Sequence, residues 1–405
     1  MHPITLIKIL TNLFKGDLMK IAHIAYQTWP TQAGSVSRLH KIIDAQKFAG
    51  KSIFIVSGPF QESVGEGRIE EHQGDKYYRY LGSNKGFSRK GGWLKRIKKF
   101  IDIFFFIPHL FRIIKNEDPD VIHAHATFVV GLASVVVGLL LRKPVVYEIR
   151  STWEEDLIGG KGVWLQRKAV FLLERLTIKL CDLPVFISKG LVEHYVGAYK
   201  GETVIYNCMS DPEINKKIFS DNIVFGYLGT LAYYEGLEYL FEAVAKLRLD
   251  YKFEIRIAGS GDMANKYIQK VNELRIDDIV AFVGKIEPNK ISSFYDVVDV
   301  IVLPRKDLLI TNRVAGLKPV EAFAFKKLVI SSDVGGMKEL FEDNKHGLMF
   351  KAESVNALVE KMKFVLNKHD SIDEIVDNGY CHFKNNFTST SMDASYTEVY
   401  EKLMP

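Results

Sequence analysis

Four glycine-containing loops in the second half of the chain have the residue types that hold a phosphorylated ligand. They contain Gly229 with Thr230, Gly259 with Gly261, Gly316 with Leu317, and the pair Gly335 and Gly336. Glycine lets a backbone approach a ligand closely, and a helix that begins at such a loop adds free N–H groups and the positive end of its dipole. Lys318 and Arg305 are the cations nearest to the third loop in sequence. This pattern predicts an anion site, with ordinary surface cations as the alternative.

Polar side chains also follow two predicted strands in the first half of the chain. His123 and His125 lie two positions apart, on one side of a strand end. A metal would need a third ligand, and none has recognisable spacing, so a polar wall is the favoured interpretation. Glu148 and Arg150 end the next strand. They are candidates for binding the hydroxyls or a phosphate of a ligand, with an internal ion-pair network as the alternative.

Strands and helices alternate along most of the chain, as in parallel sheets covered by helices on both faces. The alternation starts at Met19 and restarts after a polar segment with Pro212, which predicts two doubly wound, Rossmann-like α/β domains. We expect an amphipathic extension at 1–18, an N-terminal domain at 19–207, a linker at 208–222, a second domain at 223–385 and a helical tail at 386–405. Such sheets bind ligands at the carboxyl ends of their strands. At that edge, Gly34 and Ser35 open the first helix and add a second anion site.

Composition excludes several classes of protein. Of the 405 residues, 47% are hydrophobic and 25% are charged, which is ordinary for a globular chain and not for a disordered one. Three cysteines are too few for a disulfide framework, so a reducing compartment is expected. A net charge of +5 argues against a dedicated nucleic-acid binder. The apolar run at 127–141 is shorter than the ~20 residues of a membrane span and predicts a buried helix, and the N-terminus lacks a cleavage pattern for export.

The glycine loops carry a family resemblance that extends over roughly residues 19 to 400. They read YLGT at 227–230, AGSG at 258–261, GLKPVEAFA at 316–324 and SDVGG at 332–336. Together they resemble the family-four retaining glycosyltransferases (glycosyl transferases group 1). These are two-domain enzymes of the GT-B fold that move a sugar from a nucleotide-sugar donor. The segments YEGL at 234–237 and YEIR at 147–150 are similar to an exosortase- or exopolysaccharide-associated bacterial subgroup.

The resemblance implies roles for the residues of the second domain. The donor-binding candidates are the four glycine loops with Lys285 and Arg313. The catalytic candidates are Glu321, which matches the family, and Lys318 and Arg305, the cations nearest to its loop in sequence. Glu321 matches the second of two family glutamates and would accept the ribose hydroxyls, with a merely dipole-favouring glutamate as the alternative. Backbone groups near Lys285 would meet the base.

This sequence departs from the family pattern at three positions. Arg313 stands where the first family glutamate is expected, and Thr230 and Glu235 stand where an arginine and a lysine are common. We interpret Lys318 and Arg305 as the replacements of that missing cation pair. The departures therefore predict a variant donor site.

Acceptor binding falls, by the same resemblance, to the first domain. The acceptor-side candidates are Gly34, Ser35, His123, His125, Glu148 and Arg150. No metal or other cofactor is expected, and the co-substrate is a UDP- or GDP-sugar whose own phosphate deprotonates the acceptor. The implied function is retaining transfer to a lipid-linked or growing glycan of a bacterial surface polysaccharide. A nucleotide-sugar epimerase of the same fold and a non-catalytic sugar or lipid binding protein are the alternatives.

A basic, aromatic stretch at residues 85–115 holds nine Lys or Arg residues and one acid, Asp102. Apolar residues from Trp93 to Phe104 recur in it at helical spacing, which is typical of an interfacial membrane helix. A buried helix with a solvated basic edge is the alternative. We expect an anionic membrane surface as a partner, no nucleic acid, and a cytoplasmic protein at the inner face of the cell membrane.

Overall fold

The chain folds into two compact units in a computed structural model. The structure describes residues 19–404, apart from 32, 60, 62–67, 81–92, 154–162, 200, 202, 215–221 and 369. The first unit comprises the chain up to Phe186, residues Tyr195–Thr203 and the chain from Asp393 onward. The second unit comprises Ile187–His194 and Val204–Met392.

These ranges differ from the predicted domains at two places. The segment 187–194 was expected in the first domain, but it lies in the second unit because the Ser188 hydroxyl donates to the carbonyl of Arg313 at 2.6 Å. The end of the predicted tail joins the first unit, where Tyr400 hydrogen-bonds to His123 at 2.7 Å. The described segments of the chain therefore cross between the units more often than one linker would allow.

An eight-stranded sheet forms the centre of the first unit. Its strands are β1 (Lys20–Ala25), β2 (Ser52–Ser57), β3 (Ile69–His72), β4 (Asp75–Tyr78), β5 (Val121–His125), β6 (Val145–Ile149), β7 (Leu183–Phe186) and β8 (Thr203–Val204). Their order is β3-β4-β2-β1-β5-β6-β7-β8. Only β3 and β4 pair antiparallel among the pairs described, and β2, β1, β5, β6 and β7 run parallel. Every residue of β5 and β6 is buried, as expected for parallel strands covered on both faces.

The helices around this sheet include the apolar segment singled out in the sequence. They are α1 (Gly34–Phe48), α2 (Trp93–Glu117), α3 (Phe128–Leu141) and α4 (Val163–Leu180). Side chains at Gly131 and Gly138 would collide with Tyr147 and Val145 of β6, so α3 packs closely on the sheet. Its outer face nevertheless exposes Val136, Leu139 and Leu140, so the expectation of a buried helix is wrong for that face.

A six-stranded parallel sheet forms the centre of the second unit, in the order β11-β10-β9-β12-β13-β14. The strands are β9 (Val224–Leu228), β10 (Glu254–Ala258), β11 (Val280–Gly284), β12 (Val300–Leu303), β13 (Leu328–Ser332) and β14 (Leu348–Phe350). The helices are α5 (Lys189–His194), α6 (Leu237–Leu247), α7 (Ala264–Glu273), α8 (Ile291–Val297), α9 (Leu309–Arg313), α10 (Lys318–Ala324), α11 (Gly335–Lys338), α12 (Val355–Leu366), α13 (Ile372–Asn386) and α14 (Ser389–Glu401). The last of these begins in the second unit and ends in the first.

The predicted fold class is confirmed, since both units are α/β with largely parallel sheets. In the second unit the carboxyl ends of β9, β10, β12 and β13 lead directly into the glycine and cation loops. Adjacent parallel strands end at one edge of a sheet, and this brings those loops together. Among the described residues, no helix is both long enough and apolar enough to span a bilayer.

Candidate functional site

Four side chains from separate elements meet at this edge of the second unit; one of them, Tyr227, belongs to β9. Glu235 lies in a short 3₁₀ turn, Tyr233–Glu235, whereas Arg305 follows β12 and Lys318 begins α10. The Nζ atom of Lys318 lies 2.5 Å from Glu235 Oε1, and Arg305 Nη2 lies 3.4 Å from the same oxygen. Lys318 also donates to the hydroxyl of Tyr227 at 2.8 Å. We call Tyr227, Glu235, Arg305 and Lys318 the Glu235 cluster.

Three polar atoms of the Glu235 cluster have no hydrogen-bond partner among the described residues. The side chain of Glu235 is 2% exposed, and its Oε2 has no hydrogen-bond partner among the residues described. The same holds, within that part of the chain, for Nε and Nη1 of Arg305. A buried polar group without a partner costs about 1–3 kcal/mol. These atoms are therefore the ones that a polar ligand would satisfy.

Burial and neighbouring charges set the protonation of the cluster. Burial lowers the pKa of Lys318 to about 8, although the Glu235 carboxylate opposes that effect; Arg305 lowers the pKa further and Glu321 raises it. Burial would raise the pKa of Glu235, but the charges of Lys318 and Arg305 hold it below the ordinary glutamate value. At neutral pH the cluster thus contains two cations and one carboxylate.

Two of the predicted glycines lie directly against these cations. A β-carbon at Gly229 would sit 2.3 Å from Lys318 Cε, and one at Gly316 would sit 3.4 Å from Arg305 Nη1. The sequence-predicted residues Lys318, Arg305, Gly229 and Gly316 therefore come together. The contacts at Gly229 leave no room for a side chain above the lysine.

The next glycine loop supports the first one. Gly259 has a φ of +138°, and a β-carbon there would lie 1.7 Å from the carbonyl oxygen of Gly229. A β-carbon at Gly261 would lie 2.4 Å from the carbonyl oxygen of Leu231. Glycine is thus required at both positions by the packing of one loop on another, and their direct approach to a ligand stays a prediction.

Three further predicted residues surround the cluster. Glu321 lies half-buried in the first turn of α10 and accepts a hydrogen bond from the Tyr295 hydroxyl at 3.3 Å. Thr230 is exposed, and its carbonyl accepts from Tyr227 at 2.8 Å. Leu317 precedes α10 and packs on the hydrophobic core. Lys318, Tyr227 and the backbone of Thr230 therefore form one continuous set of hydrogen bonds.

Gly335, Gly336 and Arg313 form a separate group. The backbone N–H of Gly335 donates to the side chain of Asn312 at 2.6 Å. β-Carbons at Gly335 and Gly336 would lie 2.6 and 2.4 Å from backbone oxygens in and just after α9. The carbonyl of Arg313 accepts from Ser188. Gly335 and Gly336 therefore pack α11 on α9, and the Arg313 carbonyl joins α9 to Ser188.

Lys285 lies elsewhere on the second unit. It is exposed after β11 and lines a surface groove of about 510 Å³ together with Arg256, Lys290, Phe294 and Val297. The carbonyl of Gly284 accepts a hydrogen bond from Gly259 at 2.7 Å, which joins this loop to the glycine loops. This backbone hydrogen bond connects the loop of Lys285 to the glycine loops.

In the first unit the predicted acceptor-side residues form a buried ion-pair network. Glu148 is fully buried and accepts hydrogen bonds from Arg38 at 3.1 and 3.3 Å, from Arg150 and from the hydroxyl of Tyr396. The charges of Arg150 and Arg38 hold the pKa of Glu148 well below its ordinary value in spite of burial. Arg150 also donates to the carbonyl of Ser35 at 2.6 Å. The internal network is therefore the alternative that the structure supports for Glu148 and Arg150.

Three buried histidines extend this network. Arg150 donates to His125 Nδ1 at 2.7 Å, so the neutral His125 carries its proton on Nε2 and donates it to His23 Nδ1 at 2.7 Å. His23 then donates from Nε2 to Gln46 Oε1 at 2.8 Å. Burial lowers the pKa of His23 well below its ordinary value and that of His125 to about 4.

The chain of hydrogen bonds continues to the C-terminal helix. Gln46 Nε2 donates to the Tyr400 hydroxyl at 2.9 Å, and that hydroxyl donates to His123 Nδ1 at 2.7 Å. His123 Nε2 then faces Glu148 Oε2 at 3.9 Å. We call this set the Glu148 network; it comprises His23, Arg38, Gln46, His123, His125, Glu148, Arg150, Tyr396 and Tyr400.

The three histidines also have the proximity of a metal site, since one nitrogen of each lies within 4.8 Å of the others. However, the lone pairs of His23, His123 and His125 already accept hydrogen bonds from His125, Tyr400 and Arg150. A metal would have to displace these bonds, so the donor set fits a polar core better than a metal centre. The expectation of no metal stays a prediction.

Gly34 and Ser35 begin α1, as the sequence suggested. Gly34 is exposed, and no described atom lies within 4 Å of the position that its β-carbon would take. The carbonyl of Ser35 is occupied by Arg150. The open start of this helix is thus tied to the Glu148 network.

Comparisons with known proteins agree with this architecture. Residues 210–382 match the family described as Glycosyl transferases group 1, and residues 67–210 match the one described as Glycosyltransferase Family 4. The two matches follow one another along residues 67–382. The chain is a glycosyltransferase. Its two Rossmann-like units have the GT-B fold, as the resemblance of the glycine loops predicted.

Relatives of this glycosyltransferase cover nearly the whole chain. A Campylobacter jejuni protein named GalNAc-alpha-(1->4)-GalNAc-alpha-(1->3)-diNAcBac-PP-undecaprenol alpha-1,4-N-acetyl-D-galactosaminyltransferase is 23% identical, over 86% of this chain and 87% of that protein. Sucrose-phosphate synthase from Thermosynechococcus elongatus has a TM-score of 0.74 at 17% identity, covering 95% of this chain and 99% of that one. Anabaena HepE in complex with UDP has a TM-score of 0.70 at 15% identity, covering 95% and 100%. At these identities the structural likeness concerns the fold.

Sequence reasoning missed several residues that the glycosyltransferase brings to these sites. Glu235 was noted only as a departure from a pattern, and its role as partner of both cations was not foreseen. Its position directly after the aromatic pair Tyr233 and Tyr234 gave no signal of burial. Missed in the first unit were His23, Arg38, Gln46, Tyr396 and Tyr400. Of these, His23 carried a signal, because it sits at the middle of β1, beside β5.

Proposed function

We propose that this glycosyltransferase moves a sugar, with retention of configuration, from a UDP- or GDP-sugar to a lipid-linked or growing glycan acceptor of a bacterial surface polysaccharide. The observation that carries the donor side is the Glu235 cluster at the glycine loops. Lys318 and Arg305 converge beside Gly229 and Gly316, with buried N–H groups of Arg305 unused among the described residues. A nucleoside diphosphate leaving group gains negative charge during transfer, and fixed cations stabilise it.

The remaining donor contacts follow from the same geometry. Glu321 lies in the first turn of α10, and its negative charge raises the pKa of Lys318. We assign its carboxylate to the ribose hydroxyls, and Lys318 and Arg305 to the diphosphate. No metal or other cofactor is required, because the two cations and the start of α10 supply the positive potential.

Two comparisons support the choice of donor and acceptor. Anabaena HepE was solved with UDP, and it has the same fold. The Campylobacter jejuni relative bears a name in which the acceptor is a PP-undecaprenol-linked glycan. By this analogy the acceptor of the present chain is a polyprenyl-diphosphate-linked sugar.

Thermal stabilisation by UDP-, GDP- and ADP-sugars tests the donor assignment. A ligand at 100 times its Kd adds about 2.7 kcal/mol to the free energy of unfolding, so one member of the panel should raise the melting temperature clearly. Glu321→Ala and Lys318→Met should remove that rise, whereas the control Lys326→Met, in the turn after the same helix, should keep it. If no nucleotide-sugar shifts the melting temperature, the donor assignment is wrong.

Retention is tested on the product. With the stabilising donor and a polyprenyl-diphosphate glycan acceptor, NMR of the product should show the anomeric configuration of the donor sugar. An inverted anomer would contradict the proposed mechanism, and isomerised donor without transfer would favour the epimerase.

We also propose that the first unit docks on the anionic inner face of the cell membrane. Helix α3 packs against both α2 and α4. The three helices expose Phe104 and Phe105, then Val136, Leu139 and Leu140, and finally Trp164, Leu165, Leu172, Leu176 and Leu180. Phe104 is the one member of the predicted apolar stripe at 93–104 whose side chain is described, and it is 76% exposed.

The charge of this face supports an anionic bilayer as its proposed occupant. Helix α4 has four cations, Arg167, Lys168, Arg175 and Lys179, and its one acid, Glu174, is buried against Tyr147. All of its exposed charges are therefore positive, beside exposed leucines. Each such cation contributes about 1 kcal/mol to attraction by anionic lipid.

Vesicle co-sedimentation tests the docking surface. The wild type should sediment with phosphatidylglycerol vesicles at low salt and be released as salt rises, since screening acts over about 8 Å at physiological ionic strength. Changing the four α4 cations to Gln should release it while nucleotide binding is kept. The matched control changes Lys345 and Lys363, exposed cations of the second unit, and should still bind. A wild type that stays in the supernatant at low salt contradicts the proposal.

A further inference from the structure

The Glu235 cluster contains a carboxylate where a diphosphate site has no evident use for one. Glu235 is almost fully buried, and a negative charge next to the donor would repel its phosphates. The carboxylate nevertheless contacts both candidate cations, Lys318 at 2.5 Å and Arg305 at 3.4 Å, through a single oxygen. Glu235 must therefore act on the ligand indirectly, through Lys318 and Arg305.

We propose that Glu235 is a positioning residue that holds Lys318 and Arg305 side by side as the cation pair for a nucleoside diphosphate. Two like charges with no acid between them would repel one another and turn apart. Glu235 removes that repulsion before the ligand binds. The inference rests on the proposed donor site and gives its unusual acid a function.

The geometry around Glu235 fixes its position. The residue ends a short 3₁₀ turn, and Gly236 follows with a φ of +67°. A β-carbon at Gly236 would lie 2.2 Å from the carbonyl oxygen of Pro304, the residue before Arg305. The turn that carries the acid is thus locked on the loop that carries the arginine.

The atoms of the cluster without hydrogen-bond partners are the ones available to a ligand. Arg305 contributes only Nη2 to Glu235, while its Nε and Nη1 have no partner within the described residues. Lys318 divides its donors between Glu235 and the Tyr227 hydroxyl. A diphosphate oxygen would complete the donors of both cations without removing the carboxylate beneath them. Because one acid faces two cations, the cluster keeps one net positive charge for the ligand.

A second consequence concerns the charge of Lys318. The groups that face it are Glu235 from the 3₁₀ turn, Arg305 from the loop after β12, Tyr227 from β9 and Glu321 from its own helix. Glu235 raises the pKa of Lys318, which nevertheless lies at about 8 because of burial. Without the carboxylate, burial and Arg305 would lower that pKa further, and the lysine would lose its proton at a lower pH.

The test is the pH dependence of nucleotide affinity. UDP, GDP and ADP are titrated into the whole protein by calorimetry, and the tightest is followed from about pH 6 to about pH 9. Wild-type affinity should fall roughly tenfold between about pH 7 and about pH 9, as expected for a group with a pKa near 8. Glu235→Gln should move the midpoint of this fall to lower pH, and Glu235→Asp, which keeps the charge, should restore it.

Two control variants separate this role from a merely structural one. Lys318→Arg stays charged throughout the range, so it should abolish the midpoint and leave only the titration of the nucleotide itself. In the Lys318→Met background, Glu235→Gln should change affinity much less than it does in the wild type, because the coupled partner is gone. The double variant also removes both members of the closest pair, so it avoids a buried unpaired charge.

The outcomes distinguish the two proposals. If none of the three nucleotides binds the wild type, the proposed donor site itself is wrong. If the wild type binds with the expected midpoint but Glu235→Gln keeps both midpoint and affinity, Glu235 is not a positioning residue and the donor site stands. Equal effects of Glu235→Gln in the wild-type and Lys318→Met backgrounds would likewise overturn the inference.

Discussion

The Glu148 network and the Glu235 cluster each contain a buried carboxylate that contacts two cations. They differ in how many of their polar atoms lack a hydrogen-bond partner among the described residues. Glu148 accepts from Arg38, Arg150 and Tyr396, and the attached histidines pass hydrogen bonds from one to the next. Glu235 leaves an oxygen unpaired, and Arg305 leaves two donor nitrogens unpaired, within the described chain. In the Glu148 network one buried atom, His123 Nε2, lacks a partner among the described residues. A nearly saturated network stabilises a unit, whereas the less saturated Glu235 cluster stays ready for a ligand.

The difference also lies in the exposure of the cations. Arg38 and Arg150 are 6% and 7% exposed, while Lys318 and Arg305 are 19% and 12% exposed. The first pair is therefore part of the core and the second reaches the surface. Stability measurements should respond to the first network, and ligand binding to the second.

The largest effect is expected from Glu148→Gln. Removing one charge from a buried ion pair costs about 3–5 kcal/mol, because the partner charges stay behind without compensation. Two arginines would be left here, so the free energy of unfolding in urea should fall by at least that range. The matched variant Glu235→Gln should cost clearly less, since solvent reaches both of its cations. Equal losses would remove the distinction between the two sites.

The second-largest effect is expected from acid, which should lower the free energy of unfolding of the first unit. The pKa of each buried histidine is lower in the folded chain than its unfolded value of about 6.5, and for His125 it is about 4. The unfolded chain thus binds more protons below about pH 6.5, and stability is lost as pH falls from there towards about pH 4. The slope is about 1.4 kcal/mol per pH unit for each such histidine.

Urea unfolding at several pH values between about 7 and about 5 checks this acid dependence. His125→Gln should flatten the slope, because it removes one of the titrating groups. A stability that does not change over this range would show that the histidines are not held neutral. Lys318 changes its charge in a different pH range, since its pKa of about 8 lies on the alkaline side of neutrality.

The smallest effect is expected from Tyr400→Phe. Loss of the hydroxyl leaves His123 Nδ1 without its donor and Gln46 Nε2 without its acceptor. Each of these two hydrogen bonds contributes about 0.5–1.5 kcal/mol, so the free energy of unfolding should drop by about 1–3 kcal/mol. Tyr251→Phe, at a half-buried tyrosine outside the network, is the control and should change stability much less. An unchanged Tyr400→Phe protein would mean that water replaces the hydroxyl.

The donor-side cations could be predicted from sequence, and their acid could not. Parallel strands end at one edge, so loops after β9, β12 and before α10 are certain to converge once the alternation of strands and helices is recognised. Lys318 and Arg305 therefore followed from their positions. Glu235 replaces a cation of the family pattern, and a substitution of opposite charge gives no indication of what it pairs with.

The Glu148 network could not be predicted from the sequence, for a different reason. Spacing along the chain connects Glu148 with Arg150, and the structure keeps that pair. Tyr396 and Tyr400 lie more than two hundred positions further on, in a tail whose composition resembles any amphipathic helix. The partners of a buried polar group are set by packing between distant elements, which periodicity does not encode.

The path of α14 has a consequence for biosynthesis. The helix supplies the two tyrosines of the Glu148 network, and its last turns belong to the first unit although they follow the second in the chain. A ribosome adding about 5–20 residues per second therefore releases the first unit with its polar interior unfinished. The nascent chain must wait until the whole second unit has been translated. Until then Glu148 and His123 lack their hydroxyl partners, and the emerging domain depends on late residues to become native.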